Sequence, residues 1–393
     1  MKKINVGLLS HYYKDNNLGC VALSICNLQL IERAAKEAGI PVNFIIYVNE
    51  KQPHLSLDYI DSSYEYRVYS SSKQSVKHPI KLLTTNIFND CDVAFNLCAG
   101  DGFTDIYGFG RVLSESYMTV IANKKGVHMV LAPQTIGPFD KSLNKKIAKN
   151  VMKRCDYIFT RDEQSTIFCG SLGFKYPIVN EVIDVAFALP FQPIDQEHDC
   201  ENIGLNVSGL LYQGGYNHDN YFNLSFSYKE YVDKLIKVLV EKGKRVHLIS
   251  HVITQDGSIE DDFKICKEIA DCNKNVVLMP RRESPIEVKN YIAGMDVFIG
   301  ARMHSTIGAF SAGIPVIPVA YSRKFNGLFN TLKYPYYIDA KGDYDVNSAI
   351  ARTMEYIDRK DELKNSVDSA RSIYGERIDV YVDKVKEILI ERA

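Results

Sequence analysis

The chain has 393 residues, 47 basic against 48 acidic side chains, a formal charge of −1 and 46% hydrophobic residues. That length exceeds the roughly 250–300 residues at which a single core stops growing, so two domains are expected. The even charge speaks against a general nucleic-acid binder, and nine cysteines without a Cys-x-x-Cys pair make neither a disulfide framework nor a zinc ribbon.

The N-terminus starts basic and its apolar run, Ile4–Leu9, breaks at Ser10-His11-Tyr12, too short for a signal-peptide core. No window approaches the ~18 apolar residues of a membrane span, so a soluble, cytoplasmic protein is expected. Ile4–Leu9 reads as a strand, followed by a helical stretch through Leu30 to Ala38 that Gly39 and Pro41 close. Phe44–Val48 is a second strand, and the polar, Ser- and Tyr-rich run from Lys51 to Lys77 reads as an irregular excursion. Asp92–Leu97, Val127–Ala132 and Tyr157–Thr160 are further strands with helical patterns between them. The prolines and charges between Ala188 and Asn202 read as a linker. Alternation then restarts with strands at Ile203–Val207, Val246–Ser250 and Val276–Met279 and helices over Tyr228–Lys242 and Asp262–Ala270.

The strand Met295–Gly300 leads into Ala301-Arg302-Met303-His304, a helix that stops at Gly313, and another strand, Val316–Ala320. This βαβ unit puts an arginine and a histidine at a helix N-terminus beyond the carboxyl end of a strand, where open α/β sheets bind ligands. The tail from Ser348 is helical and charged. The whole pattern predicts an α/β protein of two Rossmann-like domains facing a cleft, GT-B-like, with a C-terminal helical tail crossing back. The expected boundaries are 1–188, 202–345 and 346–393.

Other strand ends carry candidate residues. Asn17-Leu18-Gly19 opens the first helix, Gly100-Asp101-Gly102 puts a carboxylate between two glycines, and Gln134 begins a rigid Pro/Gly loop. Arg161 ends a strand, with Asp162 placed to cap the next helix, and Lys324 follows the strand ending at Ala320. The Walker lysine motif, the Gly-x-Gly-x-x-Gly turn, the Gly-x-Ser-x-Gly elbow and His-Glu-x-x-His are all absent, which removes the main support for kinase, dehydrogenase, hydrolase and zincin readings. What remains is Arg161, Arg302, Lys324 and His304, a set suited to a compact, multiply charged anion.

Over residues 1–335 the chain resembles the polysaccharide pyruvyl transferases. The matching pieces are Asn17-Leu18-Gly19 with Ala22, the turn at Gly100, Gln134 to Pro138, Thr160-Arg161-Asp162 with Ser165, Asp184-Val185-Ala186-Phe187, and Arg302-Met303-His304 with Gly313-Ile314-Pro315-Val316 and Tyr321 to Lys324. The resemblance implies a GT-B-like fold and transfer of pyruvate from phosphoenolpyruvate to two hydroxyls of a sugar. It implies no metal, nucleotide or other cofactor; the charge balance already sets aside a nucleic-acid partner. Cys20 replaces the family's usual aspartate, and Ala99-Gly100-Asp101-Gly102 replaces a triple-glycine turn. His304 and Asp101 are the expected catalytic pair, and Arg302, Met303, Arg161 and Lys324 the expected donor ligands. Asn17, Gly19, Gly100, Gly102 and Gln134 are expected on the acceptor side, within the N-terminal domain. A lipid-linked acceptor would bring the enzyme to the inner membrane face, with Tyr59–Tyr69 and Tyr212–Tyr228 as its contact or as the wall of an acceptor groove. The rival readings are a nucleotide-sugar glycosyltransferase on the same fold and a non-catalytic anion-binding protein.

Overall fold

The computed structural model describes residues 2–49, 65–69, 86–173, 178–197, 199–254 and 257–393, with the side chains of Asn49, Tyr69, Arg323, Lys324 and Asn326 outside that description. Most of the Tyr59–Tyr69 segment thus lies outside the described residues. The chain divides into two compact units. The first comprises Met1–Lys14, Leu23–Val185 and Gly375–Ala393, and the second Asp15–Ala22 and Ala186–Tyr374.

In the first unit, seven parallel strands among the described residues form one sheet: β1 (Ile4–Leu9), β2 (Val42–Asn49), β3 (Glu65–Tyr69), β4 (Val93–Asn96), β5 (His128–Gln134), β6 (Tyr157–Thr160) and β7 (Ile178–Glu181). Their spatial order is β3-β2-β1-β4-β5-β6-β7. The chain runs outward from β1 in one direction and then, from β4, in the other. The switch point therefore lies between β1 and β4, which pair from Val6 opposite Val93 to Leu9 opposite Asn96. Central strands such as β4 are buried along their whole length, as sheets covered on both faces require.

The second unit repeats the plan with β8 (Asn202–Asn206), β9 (Arg245–Ile249), β10 (Val276–Leu278), β11 (Val297–Gly300), β12 (Val316–Ala320) and β13 (Ile338–Asp339). Their order is β10-β9-β8-β11-β12-β13, with the switch point between β8 and β11. Both orders are those of doubly wound sheets, whose ligands sit beyond the strand ends at that point.

Helix α1 (Leu18–Ala38) follows β1. It is long and apolar enough to cross a membrane by length and composition, a span the sequence reading does not find, but 78% of that window is buried inside the protein. Further helices are α2 (Phe109–Lys124), α3 (Ser142–Met152), α4 (Glu163–Ser171), the single turn α5 (Gly209–Tyr212), α6 (Tyr228–Glu241), α7 (Asp262–Cys272) and α8 (Pro285–Ile292). They are followed by α9 (Met303–Ser311), α10 (Arg323–Thr331), α11 (Val346–Asp358) and α12 (Lys360–Ile390). Side-chain oxygens of Asp162, Ser227, Asp261 and Asp345 cap α4, α6, α7 and α11. Helix α9 ends where Gly313 takes φ of +81, a left-handed step that glycine makes at little cost. The C-terminal helix α12 is shared between the units, dividing after Tyr374. Within the first unit Tyr381 on α12 donates to Asn27 on α1 at 2.6 Å, and Asn27 bonds the buried ring of His11 at 2.8 Å.

Candidate active site

In the second unit the ends of β8, β9 and β11 converge on one buried carboxylate. Asp262, the first residue of α7, is fully buried and accepts the backbone N–H of Gly209 at 2.8 Å, of His251 at 3.2 Å and of Val252 at 3.0 Å. Arg302 approaches it edge-on, with Nη2 at 2.7 Å and Nε at 3.2 and 3.3 Å from the two oxygens. A second bond runs from Arg302 Nη2 to the carbonyl of Glu260 at 2.9 Å. Burial opposes the Arg302 charge, but Asp262 more than offsets it and holds the guanidinium firmly protonated. Among the described residues Arg302 Nη1 takes no hydrogen bond.

Asn206, the last residue of β8, fixes the turn beneath α9. Its Oδ1 accepts the Arg302 N–H at 2.9 Å and the Ser305 hydroxyl at 3.0 Å, and its Nδ2 donates to Ile249 at 2.9 Å. Arg302 is thereby the N-cap of α9, Met303 its first residue and His304 its second. His304 is half-buried. A β-carbon added at Gly19 would lie 2.2 Å from His304 Nδ1 and 2.7 Å from its Cγ, so the imidazole rests directly on the Gly19 backbone. Only glycine permits that approach.

This overturns the expected placement of Asn17 and Gly19. Residues 15–22 belong to the second unit. Leu18 donates to the His251 carbonyl at 3.1 Å, Ile253 to Asn16 at 2.8 Å, and Asn17 forms an antiparallel bridge with Val252. The Asn17 side chain accepts from Gly19 N at 3.0 Å, which caps α1. His251, which the sequence reading passes over, is buried close to both His304 and Arg302. Burial first, then His304 and the Arg302 guanidinium beside it, push its pKa down to about 3, so it stays neutral.

Apart from Lys324, the first unit holds the other candidates. After β4 the chain makes a tight turn in which Cys98, Ala99 and Gly100 take φ of 47°, 54° and 84°. Two of these are not glycine, and such backbone persists only where its surroundings fix it. Here Cys98 N bonds the Asn96 side chain at 3.1 Å, Gly102 N bonds Cys98 O at 2.8 Å, and Thr135 N bonds Gly100 O at 2.8 Å. Asp101 follows, half-buried, and accepts from the Tyr107 hydroxyl at 3.0 Å. Arg111 pairs with the buried Glu115 at 3.1 Å, and Glu115 also accepts from Ser10 at 2.8 Å.

Four of the expected residues are built into the packing of this unit. Gly100 and Gly102 are required by the protein's own packing: a β-carbon there would meet Leu23 at 2.3 Å and the Cys98 carbonyl at 2.6 Å. Gln134 is wholly buried, donating to Asn96 O at 2.9 Å and Ala132 O at 3.0 Å, and is a strut between strands. Arg161 is buried too. It pairs with the buried Asp184 at 2.5 Å and donates to Thr135 at 3.0 Å. The backbone of Lys324 lies in the first turn of α10, and its side chain falls outside the described residues.

Two parallel α/β units and a C-terminal helix define a GT-B-like protein, and solved structures share that fold. A UDP-GlcNAc 2-epimerase from Neisseria meningitidis, bound to UDP-GlcNAc, superposes with a TM-score of 0.62 at 11% identity over 100% of this chain and 99% of its own. Anabaena Alr3699/HepE, in complex with UDP-glucose, gives 0.56 at 11% identity over 99% and 98%. The family description "polysaccharide pyruvyl transferase" matches residues 17–323, and the chain belongs to that family of transferases. The amylovoran biosynthesis protein AmsJ of Erwinia amylovora is 25% identical over 297 residues, 71% of this chain and 68% of the relative.

Proposed function

We propose that this protein transfers the pyruvyl group of phosphoenolpyruvate to two hydroxyls of a sugar in a polysaccharide or its glycan precursor, leaving a cyclic ketal and phosphate. The family supports the transfer, and the AmsJ likeness supports a polysaccharide acceptor. At residue level one observation carries the reading. The His304 ring is seated on Gly19 at the N-terminus of α9, next to Arg302 and the neutral His251.

An enol phosphate becomes electrophilic at C2 when its methylene carbon is protonated, so a general acid has to stand beside that carbon. His304 supplies the proton. Arg302 and the N-terminus of α9 hold the anion and stabilise phosphate as it leaves. One sugar hydroxyl adds to C2 and gives up its proton to a base. Phosphate departs, and the second hydroxyl closes the ketal and loses its proton in turn. The reaction calls on no other cofactor. With a lipid-linked acceptor it would run at the inner membrane face, in the cytoplasm.

The test is product mass spectrometry with phosphoenolpyruvate and a panel of glycan acceptors. A ketal gain together with released phosphate supports the reading; turnover of a nucleotide sugar instead would replace it. His304→Gln keeps hydrogen bonding without proton transfer, and loss of a general acid commonly costs ~10²–10⁴ in rate. Donor binding measured by calorimetry should persist in that variant. A glutamine variant with near wild-type turnover would send the search for the acid elsewhere.

A further inference from the structure

Beside Arg302, the loop between α5 and α6 presents aromatic rings to solvent. Tyr216 and Tyr221 are 53% and 51% exposed, and their rings meet edge-to-face at 5.4 Å and 87°. Behind them Phe222 touches Tyr221 at 5.1 Å and Tyr321 at 5.3 Å, and Tyr321 leads to the buried Phe325 at 5.7 Å. A pair of exposed rings is thus anchored to the core through a continuous aromatic series.

The loop is built to hold that shape. Gly214 and Gly215 both take left-handed φ, near +80 and +82. A β-carbon on Gly215 would sit 2.3 Å from Tyr221 Cβ, so glycine lets the loop fold onto itself. Asn220 brackets Leu224, accepting its N–H at 2.7 Å and donating to its carbonyl at 2.9 Å. The Tyr216 hydroxyl donates to the Glu260 carboxylate, and the carbonyl of the same Glu260 accepts from Arg302 Nη2. One residue therefore separates this corner from the candidate donor site. Asn217 and Asp219, both exposed, stand at its rim.

We infer that Tyr216 and Tyr221 form a stacking platform for a pyranose ring of the acceptor, placed next to Arg302 within the second unit. The platform rests on the transferase reading above for its role, though not for its chemistry. A pyranose offers an apolar C–H face and a rim of hydroxyls. Two rigid tyrosines flanked by an amide and a carboxylate match both, at little cost in side-chain entropy. An unused hydrophobic corner of the core would not carry polar groups at its edge, nor hold its rings out on a braced loop.

The chain contains no tryptophan, so Tyr221→Trp installs a single fluorescent reporter that keeps an aromatic face. The probes are gluco-, galacto- and manno-configured oligosaccharides, phosphoenolpyruvate, and phosphatidylglycerol vesicles. A saturable emission change with at least one oligosaccharide is expected. Adding Tyr216→Ala should weaken that binding about tenfold, equivalent to ~1.4 kcal/mol, while phosphoenolpyruvate affinity by calorimetry changes less than twofold. Silence toward every oligosaccharide in a reporter protein that still binds phosphoenolpyruvate would overturn the platform. So would a response to vesicles alone, which would make the corner a membrane contact. If oligosaccharides bind and phosphoenolpyruvate does not, the platform stands and the donor assignment falls.

Discussion

Arg302 owes its position to Asp262, and the pair shows how little of a site's support can be read in one dimension. The Arg-x-His turn is legible because it follows a strand and opens a helix. Asp262 is not: an aspartate at the start of a helix pattern reads as a cap, and only the folded chain reveals that it gathers Gly209, His251, Val252 and Arg302. Arg161 shows the same limit, since a strand-end arginine is legible while its buried partner, Asp184, appears only in the fold. Asp262→Asn keeps the shape but leaves a buried guanidinium without its counter-charge, a loss that commonly costs 3–5 kcal/mol. Melting temperature should fall accordingly. Phosphoenolpyruvate, by supplying the missing negative charge, should raise the melting temperature of this variant more than that of the wild type. Equal rises in the two proteins would mean that Arg302 does not face the donor.

Elements at the sheet centres are legible throughout, because two covered faces demand unbroken apolar runs such as Val-Phe-Ile-Gly in β11. The strands that sequence reasoning misses are β3, β7 and β13, and all three are sheet edges. Glu-Tyr-Arg-Val-Tyr in β3 stands largely exposed, so it carries no apolar signature, and it falls inside the run read as irregular. The first turn of α1 is a subtler case. Its Asn-x-Gly pattern announces a helix start, but the backbone bonds that tie residues 16–18 to residues 251–253 leave no trace in composition. Gly19 is where this tie matters most. Glycine to alanine inside a helix ordinarily stabilises by about 0.5–1 kcal/mol. Gly110→Ala, in the first turn of α2 with nothing within 4 Å of the new carbon, should do just that and leave turnover unchanged. Gly19→Ala should instead displace the His304 ring and lower kcat at least tenfold without a gain in melting temperature. Steady-state kinetics and melting curves on the two variants check the contrast; equal behaviour would dissociate Gly19 from His304.

At the scale of the whole molecule, two sheets with the same winding carry buried neutral histidines, and this fixes how the fold responds to acid. His11 lies in the first unit, and His247 and His251 in the second. Burial holds His11 and His247 near 4, and burial with His304 and Arg302 alongside holds His251 near 3, all below the usual 6.5. The bonds of the first two suit a neutral ring: His11 donates from Nδ1 to Leu9 O at 2.9 Å and accepts from Asn27, while His247 donates to Asn202 at 3.0 Å and accepts from Tyr291. As pH falls below about 6.5 the unfolded chain takes up protons on these rings and the folded chain does not, until about pH 4. Stability is therefore complete above the unfolded pKa and drains away through that window, by up to ~1.4 kcal/mol per pH unit for each histidine. Among the described residues the second unit has two such rings and the first has one, so the second should lose stability on acidification more steeply. His11→Gln can keep both bonds, its amide N–H₂ donating to Leu9 and its carbonyl accepting from Asn27, without a titrating group. Melting temperatures from pH 7.5 to 4.5 should show a smaller acid shift for that variant than for the wild type, at nearly equal stability at pH 7.5. Parallel curves would mean that the His11 ring is protonated in the folded protein.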